Sequence, residues 1–370
     1  MRCYRWPSLL LALSLGSAAL AQARSQSVPS PRELRSRLDA AAPALLHQHD
    51  VPSVAVAYIH NGALAWTAVY GNQSPGVPAT ADTLYEVASL TKPITAETIL
   101  RLASQHKLSL DEPISPFWID PDIKDNPWTS LLTPRICLAH ETGFRNWRSM
   151  TGSVLTFKFR PGTAMSYSGE GYNYVAHFAE KKTGVSFDLL AKTYVFDPIG
   201  MHDTSYTPQP NSAARLAIAH TAAGDVPEPA NSHWNAADLV HTTIGDYARF
   251  VVSVMHDQGV TPQIAAQRRT IHRDLVTPES RAKICSALPA GQPCSISVGM
   301  ALGWQVMKLN DNTILEHTGS DTGFHSLAFL NPASGVGVVV LTNGDNGDKV
   351  ADEIGAMLYP DPLFDATLRF

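Results

Sequence analysis

A serine and a lysine three residues apart, Ser89 and Lys92, have the types and the spacing that nucleophilic catalysis requires. The segment 94–106 has the apolar periodicity of a helix, which places Ser89 at a helix N-terminus. Residues i and i+3 share one face of a helix, so the amine can reach the hydroxyl. Free backbone N–H groups at that end favour the negative charge that develops on a carbonyl under attack. The amine accepts the serine proton only if burial or a neighbouring cation lowers its pKa.

Two further segments contain groups that an acyl-transfer site needs, because Ser-x-x-Lys alone is a common chance match. Tyr167-Ser168-Gly169 supplies a phenol that can relay protons, and His317-Thr318-Gly319 follows a strand pattern. Taken alone, Tyr167 is more simply a packing aromatic and His317 a strand histidine with structural partners. The order and the separations of the three segments favour a shared site.

These segments resemble the three motifs of the serine β-lactamase and penicillin-binding protein superfamily, which are Ser-x-x-Lys, Tyr/Ser-x-Asn and Lys/His-Thr/Ser-Gly. Residues 138–144 and 196–204 are similar to elements of its class C β-lactamase-like and esterase-like branch. The resemblance extends over about residues 34–359. It implies an α/β fold of the β-lactamase/transpeptidase-like type, in which an antiparallel sheet flanked by helices carries an inserted, mainly helical domain.

The resemblance also implies a role for each motif residue. Ser89 is the expected nucleophile, and Lys92 and Tyr167 share the proton transfers, with the identity of the general base left open. A free tyrosine has a pKa of about 10, so Tyr167 can act as a base only if the Lys92 cation lowers it. Backbone N–H groups of Ser89 and Ser320 form the expected oxyanion hole. The expected substrate-binding residues are Gly169, His317, Thr318 and Gly319.

Two departures from the family pattern concern the substrate. Gly169 stands where the family usually has Asn, so the side-chain amide that would bind both the lysine and the substrate's acyl amide is missing. His317 replaces the lysine of most β-lactamases, and a histidine is only partly charged near neutral pH, so it holds a substrate carboxylate less firmly. The Ser-Asp-Asn motif of class A enzymes is absent from the sequence, which excludes a class A enzyme.

The function predicted from these residues is an exported serine hydrolase that cleaves an amide, either a β-lactam or a D-amino-acid peptide, through an acyl-enzyme on Ser89. A carboxylesterase using the same site stays open, and Gly169 and His317 favour it. A third alternative is a β-lactam- or peptidoglycan-binding module without turnover, against which the intact Ser89, Lys92 and Tyr167 argue.

Composition and the N-terminal sequence indicate a globular, exported protein. The 370 residues are 44% hydrophobic and 16% charged, which is enough for a large core. Residues 1–21 combine Arg2 and Arg5 with an apolar run and Ala19-Leu20-Ala21, the pattern of a cleaved signal peptide. We therefore expect a periplasmic or secreted protein without a membrane span in the mature chain. Losing the two arginines takes the formal charge from −5 to −7, which disfavours nucleic acid as a partner and favours a small-molecule or peptide substrate.

Strand patterns occur at both ends of the chain and helical patterns lie between them. Asn61-Gly62 is a strong hairpin signal. These patterns predict an α/β sandwich domain over 22–107 and 298–370 and a mainly helical domain over 108–297. The other predicted elements are helices at 33–48 and 348–358 and strands at 53–59, 63–70, 303–308, 313–317, 326–330 and 335–341.

The cysteines indicate one crosslink. In an oxidising compartment Cys285 and Cys294 are expected to form a disulfide that closes a short loop, two free thiols being the alternative. Cys137 has apolar neighbours and is expected to be a buried small hydrophobe. Metal-binding patterns such as His-Glu-x-x-His and Cys-x-x-Cys, and the nucleotide pattern Gly-x-Gly-x-x-Gly, are absent from the sequence, so we expect no metal and no cofactor.

Overall fold

The computed structural model describes residues 29–207, 209, 212–226 and 233–369. The predicted signal peptide, residues 1–21, lies outside these residues. The helices are α1 (Pro31–His49), α2 (Thr91–Ser104), α3 (Pro134–Leu138), α4 (Gly169–Thr183), α5 (Phe187–Ala191), α6 (Asp197–Ile199), α7 (Ile244–Met255), α8 (Pro262–Arg268), α9 (Pro278–Ser286), α10 (Gly347–Leu358) and α11 (Pro362–Leu368). The strands are β1 (Ser53–His60), β2 (Ala63–Ser74), β3 (Val77–Pro78), β4 (Tyr85–Glu86), β5 (Ala219–Thr221), β6 (Gly224–Val226), β7 (His241–Thr242), β8 (Arg273–Asp274), β9 (Ile296–Met300), β10 (Gln305–Leu309), β11 (Asn312–Asp321), β12 (Phe324–Asn331) and β13 (Val336–Thr342).

One antiparallel sheet forms the frame, with the strand order β3-β2-β1-β13-β12-β11-β10-β9-β8. The two ends of the chain meet at its centre, where β1 pairs with β13 and Val54 lies opposite Thr342. The predicted hairpin joins β1 to β2, and Asn61 and Gly62 have φ angles of 52° and 76°. Positive φ at both central residues is what a type I′ turn requires, which explains the Asn-Gly sequence.

The central strands of the sheet are buried on both faces. Ala55, Ala57 and Ile59 of β1 belong to one apolar core, and Val54 and Val56 belong to a second core on the other face. This alternation follows from the two-residue period of a strand. Helices α1, α10 and α11 contribute to the second core, and α2, α4 and α7 contribute to the first. The candidate catalytic residues lie on the side of the first core, between α2, α4 and the sheet.

Most of the chain between β4 and β9 is helical or lies in loops. The short strand β8 and the start of β9 nevertheless join the main sheet from within 108–297. The division into domains at residues 107 and 297 therefore stays a prediction. Among the described residues, every helix is too short or too polar to cross a bilayer.

Several elements differ from the sequence prediction, among them β11, β9 and α11. Strand β11 extends to Asp321, further than predicted, because it continues its pairing with β12 as far as Phe324. This places the whole His317-Thr318-Gly319 motif inside a paired strand. Strand β9 and helix α11 were not predicted, since each is short and has weak periodicity. The start of α11 does have a local signal, because the Asp361 side chain caps the helix ahead of Pro362.

Cys285 at the end of α9 is joined to Cys294, with Cα atoms 5.8 Å apart. We expect the double replacement Cys285→Ser/Cys294→Ser to lower the free energy of unfolding by about 2–3 kcal/mol, because the unfolded chain regains the entropy of an open loop. Urea unfolding of the oxidised parent and the variant measures this difference. Reduced parent serves as the control and should match the variant, whereas equal midpoints for oxidised parent and variant would contradict the prediction.

Candidate active site

Ser89 lies in a 3₁₀ turn that leads directly into α2. The preceding Ala88 has a φ of 47°, in the left-handed region that residues other than glycine seldom occupy. Contacts on both sides of Val87 hold this strained turn. Its N–H donates to Val240 O at 3.0 Å, and its carbonyl accepts from Ser326 Oγ at 2.8 Å. The surrounding strands therefore maintain a conformation that the local sequence does not favour.

Lys92 is fully buried beneath this turn. Its Nζ donates to Ser89 Oγ at 2.8 Å and to Ala237 O at 2.9 Å. Burial lowers the pKa of Lys92 to about 8, although the nearby Asp238 and Asp321 carboxylates oppose the change. An appreciable fraction of the amine is consequently neutral near physiological pH and is in contact with the hydroxyl that must lose a proton.

Three aromatic rings enclose the amine. Nζ lies 4.8 Å from the ring centroid of Tyr167, 5.7 Å from that of Trp147 and 6.0 Å from that of Tyr172. The ring faces attract a cation, but they also exclude the water that would solvate it. The pKa of Lys92 is lowered on balance, so the loss of water outweighs the attraction of the rings and carboxylates.

Tyr167 has the Ser89 side chain as a hydrogen-bond partner. Burial raises the pKa of Tyr167 above its usual range, and the hydrogen bond to Ser89 offsets only part of this rise. The sequence had suggested that the Lys92 cation would need to lower this pKa, and the shift has the opposite sign. Tyr167 therefore keeps its proton near neutral pH, and Lys92 is the better candidate for the base.

The His140 ring stacks on the Tyr167 ring, with ring centroids 4.3 Å apart and planes inclined by 25°. The Ser168 N–H donates to its Nδ1 at 3.0 Å, so the proton of the neutral ring is on Nε2. Burial, together with Lys92 and His317, keeps the pKa of His140 well below its ordinary value. An uncharged ring therefore orients the phenol without adding a positive charge beside Lys92.

His317 is buried, and its Nδ1 donates to the Thr318 carbonyl at 2.7 Å. Burial and then the Lys92 charge lower the pKa of His317 to about 3, against the opposing effect of the bond to Thr318. The sequence had indicated a partly charged histidine, whereas this shift makes the ring neutral at physiological pH. Its Nε2 is then a hydrogen-bond acceptor, so His317 offers no cation to a substrate carboxylate.

Gly319 allows β11 to pass close to the Ser89 turn. A Cβ at this position would lie 2.2 Å from Ser326 Oγ, 2.3 Å from Val87 O and 3.1 Å from Ser89 N. Any larger residue would push the strand away from the turn. The close approach brings Ser320, the residue after Gly319, to the same cavity as Ser89, as the predicted oxyanion hole requires.

A cavity of about 400 Å³ lies over Ser89. Its lining includes predicted residues from all three motif regions. Lys92 is buried next to Ser89 and does not line the cavity. Gly169 and Gly319 contribute by having no side chain, which leaves space for neighbouring residues. Because His317 is neutral, no positive charge is present among the described lining residues. The lining residues are Ser89, Asn146, Tyr167, Met300, Gln305, Glu316, His317, Thr318 and Ser320.

The structure explains the glycine at position 169. A Cβ on Gly169 would lie 2.4 Å from Cη2 and 2.6 Å from Cζ3 of Trp147. The indole therefore occupies the space in which an Asn side chain at position 169 would start. The sequence has no pattern that identifies Trp147 as part of the site.

Other residues of the site were also missed from the sequence. His140 lies in the segment 138–144, whose similarity to a family element was a usable signal. Asn146 and Asp238 belong to no motif and reach the site only through the fold, whereas Glu316 directly precedes the His317-Thr318-Gly319 motif. In the described parts of the chain, no cluster of three or more His, Cys, Asp or Glu residues is arranged to hold a metal ion.

Comparison with known proteins gives a family and two groups of relatives. The sequence model of the family described as Beta-lactamase matches residues 38–358. Penicillin-binding protein 4 of Amycolatopsis lactamdurans is 25% identical over 326 residues, covering 81% of this chain and 83% of that protein. The D-alanyl-D-alanine-carboxypeptidase/endopeptidase AmpH of Escherichia coli (strain K12) is 24% identical over 361 residues, covering 90% of each.

Solved structures confirm the predicted β-lactamase/transpeptidase-like fold. The octameric penicillin-binding protein homologue from Pyrococcus abyssi has a TM-score of 0.71 at 19% identity, covering 89% of this chain and 78% of that one. The D-alanine carboxypeptidase AmpC from Burkholderia cenocepacia has a TM-score of 0.70 at 21% identity, covering 88% and 99%.

The carboxylate of Asp238 raises the pKa of Lys92. Burial raises the pKa of Asp238 itself to about 7, so the carboxyl is mostly ionised only above neutral pH. We expect Asp238→Asn to lower the pKa of Lys92 further, so that more of the amine is neutral near pH 8, where the parent carries this carboxylate. If neutral Lys92 is the base, the acidic limb of the kcat/KM profile moves to lower pH. The pH profile of ester hydrolysis measures this shift, with the exposed Asp125→Asn as a charge-matched control. A limb that stays in place, moves upward or disappears would contradict Lys92 as the titrating base.

Proposed function

The chain belongs to the Beta-lactamase family and is a serine hydrolase, and from this premise we propose that it hydrolyses an amide, a β-lactam or a D-amino-acid peptide, through an acyl-enzyme on Ser89. The observation that carries the proposal is the contact of 2.8 Å between Lys92 Nζ and Ser89 Oγ. The amine is buried and its pKa is lowered to about 8, which is the condition for it to accept the serine proton.

Acylation begins when Ser89 Oγ attacks the carbonyl carbon and its proton passes to neutral Lys92. The developing oxyanion would accept from the backbone N–H groups of Ser89 and Ser320. As the bond to the leaving nitrogen breaks, Tyr167 donates its phenolic proton to that nitrogen, and the proton that Lys92 took from Ser89 passes to the phenolate. The raised pKa of Tyr167 suits this role, since the phenol carries a proton when the nitrogen needs it.

Deacylation requires a water molecule to attack the ester carbon of the acyl-enzyme. Neutral Lys92 is again the group that can take a proton, and the ester oxygen that leaves is Ser89 Oγ. The same oxyanion donors serve this step. Both half-reactions therefore use one buried amine, and the enzyme returns to its starting protonation state after each cycle.

The activities by which two similar proteins are named support a D-amino-acid peptide substrate. One is a D-alanyl-D-alanine-carboxypeptidase/endopeptidase and another is a D-alanine carboxypeptidase. The leader pattern at residues 1–21 and the disulfide between Cys285 and Cys294 support an exported enzyme, periplasmic or secreted. Peptides of the cell wall would be accessible to an enzyme in that location.

A carboxylesterase is the second candidate, and one observation favours it. The described lining of the cavity contains no cation, because His317 is neutral. A substrate with a free carboxylate would therefore enter without a charged partner there, whereas an uncharged ester needs none. Because the chain belongs to a family of serine hydrolases, we do not propose the third alternative, a binding module without turnover.

Ser89→Ala should abolish covalent modification, because the variant lacks the nucleophile while keeping the cavity. The measurement is an intact-mass time course with excess benzylpenicillin. A persistent adduct on the parent alone indicates a peptidase-like enzyme, and a transient adduct with loss of the drug indicates a β-lactamase. An adduct on Ser89→Ala would contradict Ser89 as the nucleophile, and the absence of both an adduct on the parent and loss of the drug would remove the β-lactam from the proposed substrates.

His317→Lys should raise the preference for substrates with a free carboxylate, because it introduces an ammonium group at the cavity wall. The measurement is the ratio of kcat/KM for a depsipeptide with a free C-terminal carboxylate to that for its methyl ester. His317→Gln is the uncharged control. If the ratio is the same in both variants, position 317 does not contact the substrate carboxylate.

A further inference from the structure

We propose that Asn146 is a substrate-binding residue, whose side-chain N–H donates a hydrogen bond to a carbonyl oxygen in the acyl part of the substrate. This inference rests on the proposed function, because it concerns the substrate that acylates Ser89. Asn146 lines the same cavity as Ser89 and Tyr167.

The family usually has an Asn at position 169, but here the Trp147 ring occupies the space that its side chain would need. Its ring atoms would lie 2.4, 2.6 and 2.9 Å from any Cβ on Gly169. The same ring lies 5.7 Å from Lys92 Nζ, so it contributes to the burial of the amine. An indole in this place can exclude water, but Trp147 is not among the described residues that line the cavity. A donor for the substrate must therefore come from a residue that does line it.

Asn146 is held in one orientation at that wall. Its Oδ1 accepts from the Gly169 N–H at 2.8 Å, and its backbone carbonyl accepts from the Glu170 N–H at 3.1 Å. Because a backbone N–H only donates, the oxygen of the amide must face Gly169 and the nitrogen must be at the other end. The amide orientation is therefore determined by the protein before any substrate binds.

The residues after Asn146 are also anchored to the first turn of α4. The Arg148 N–H donates to Glu170 Oε1 at 2.9 Å, and the Arg148 guanidinium donates to Glu170 Oε2 at 2.9 Å. Glu170 is buried, so these charge-assisted bonds are shielded from water. The segment that carries Asn146 and Trp147 is thus tied to the helix at two places, which limits the entropy lost when the amide binds a ligand.

The nitrogen of Asn146 has no acceptor among the described residues. The hydrogen bond from the Gly169 N–H goes to Asn146 Oδ1, so it does not engage the side-chain nitrogen. The Asn146 side chain is half-buried at the cavity. The fixed side-chain amide of Asn146 can donate an N–H to a neutral acceptor next to Ser89, such as the carbonyl of an N-acyl group. Substrates with an amide in the acyl part should therefore react faster than those with a plain alkyl chain.

The test compares two esters of equal length, 4-nitrophenyl N-acetylglycinate and 4-nitrophenyl pentanoate. Asn146→Asp keeps an oxygen for the Gly169 N–H but replaces the donor nitrogen. We expect the ratio of kcat/KM for the N-acetylglycinate to that for the pentanoate to fall by about 5- to 10-fold, the effect of one lost hydrogen bond. Asn72→Asp, on the exposed part of β2, is the matched control and should leave the ratio unchanged.

Each outcome has a distinct meaning. If Asn146→Asp changes kcat/KM for both esters by the same factor, Asn146 only supports the structure and the proposal is wrong. If thermal unfolding shows that Asn146→Asp is not folded, the same ratio is measured in Asn146→Ala, which loses both ends of the amide. If the parent turns over neither ester faster than Ser89→Ala does, this proposal is wrong, whereas the proposed function is tested separately by the covalent modification of Ser89.

Discussion

The burial of one amine is the constraint on which the site depends. Lys92 is fully buried against Ser89 and the carbonyl of Ala237, and this environment lowers its pKa to about 8. An exposed lysine would stay protonated and could not take a proton from a serine. The rings of Tyr167, Trp147 and Tyr172 exclude water from the amine, while Asp238 limits how far the pKa falls. The remaining features of the site maintain this balance.

The frame provides the positions that the chemistry requires. The left-handed φ of Ala88 is unfavourable, and it is maintained because Ser326 on β12 and Val240 before β7 both bond to Val87. The absence of a side chain at Gly319 lets β11 approach the same turn. These contacts join residues that are far apart in the chain, so the nucleophile and the predicted oxyanion donors form only when the sheet is complete.

Electrostatics distinguish this cavity from one that selects anionic substrates. His140 and His317 lie close to Lys92, and burial together with the lysine charge keeps both rings neutral. Lowering the pKa of these histidines removes competing positive charges from the site. As a consequence, a substrate carboxylate has no cation to bind among the described lining residues, and the cavity suits an uncharged ester or amide better. Trp147 also affects both the lysine and the substrate site, because it contributes to the burial of Lys92 and excludes a side chain at position 169.

The amino-acid sequence by itself determined the family, the antiparallel sheet with flanking helices and the hairpin at Asn61-Gly62, since these depend on short motifs, strand periodicity and local turn preferences. It also identified Ser89 and Lys92 as partners, because their spacing on a helix brings them together. The parts played by Trp147, Asn146 and Asp238 were decided only by the tertiary structure, as were the signs of the pKa shifts at Tyr167 and His317. Burial and the distances between charges depend on how remote segments pack, and no local sequence pattern encodes them.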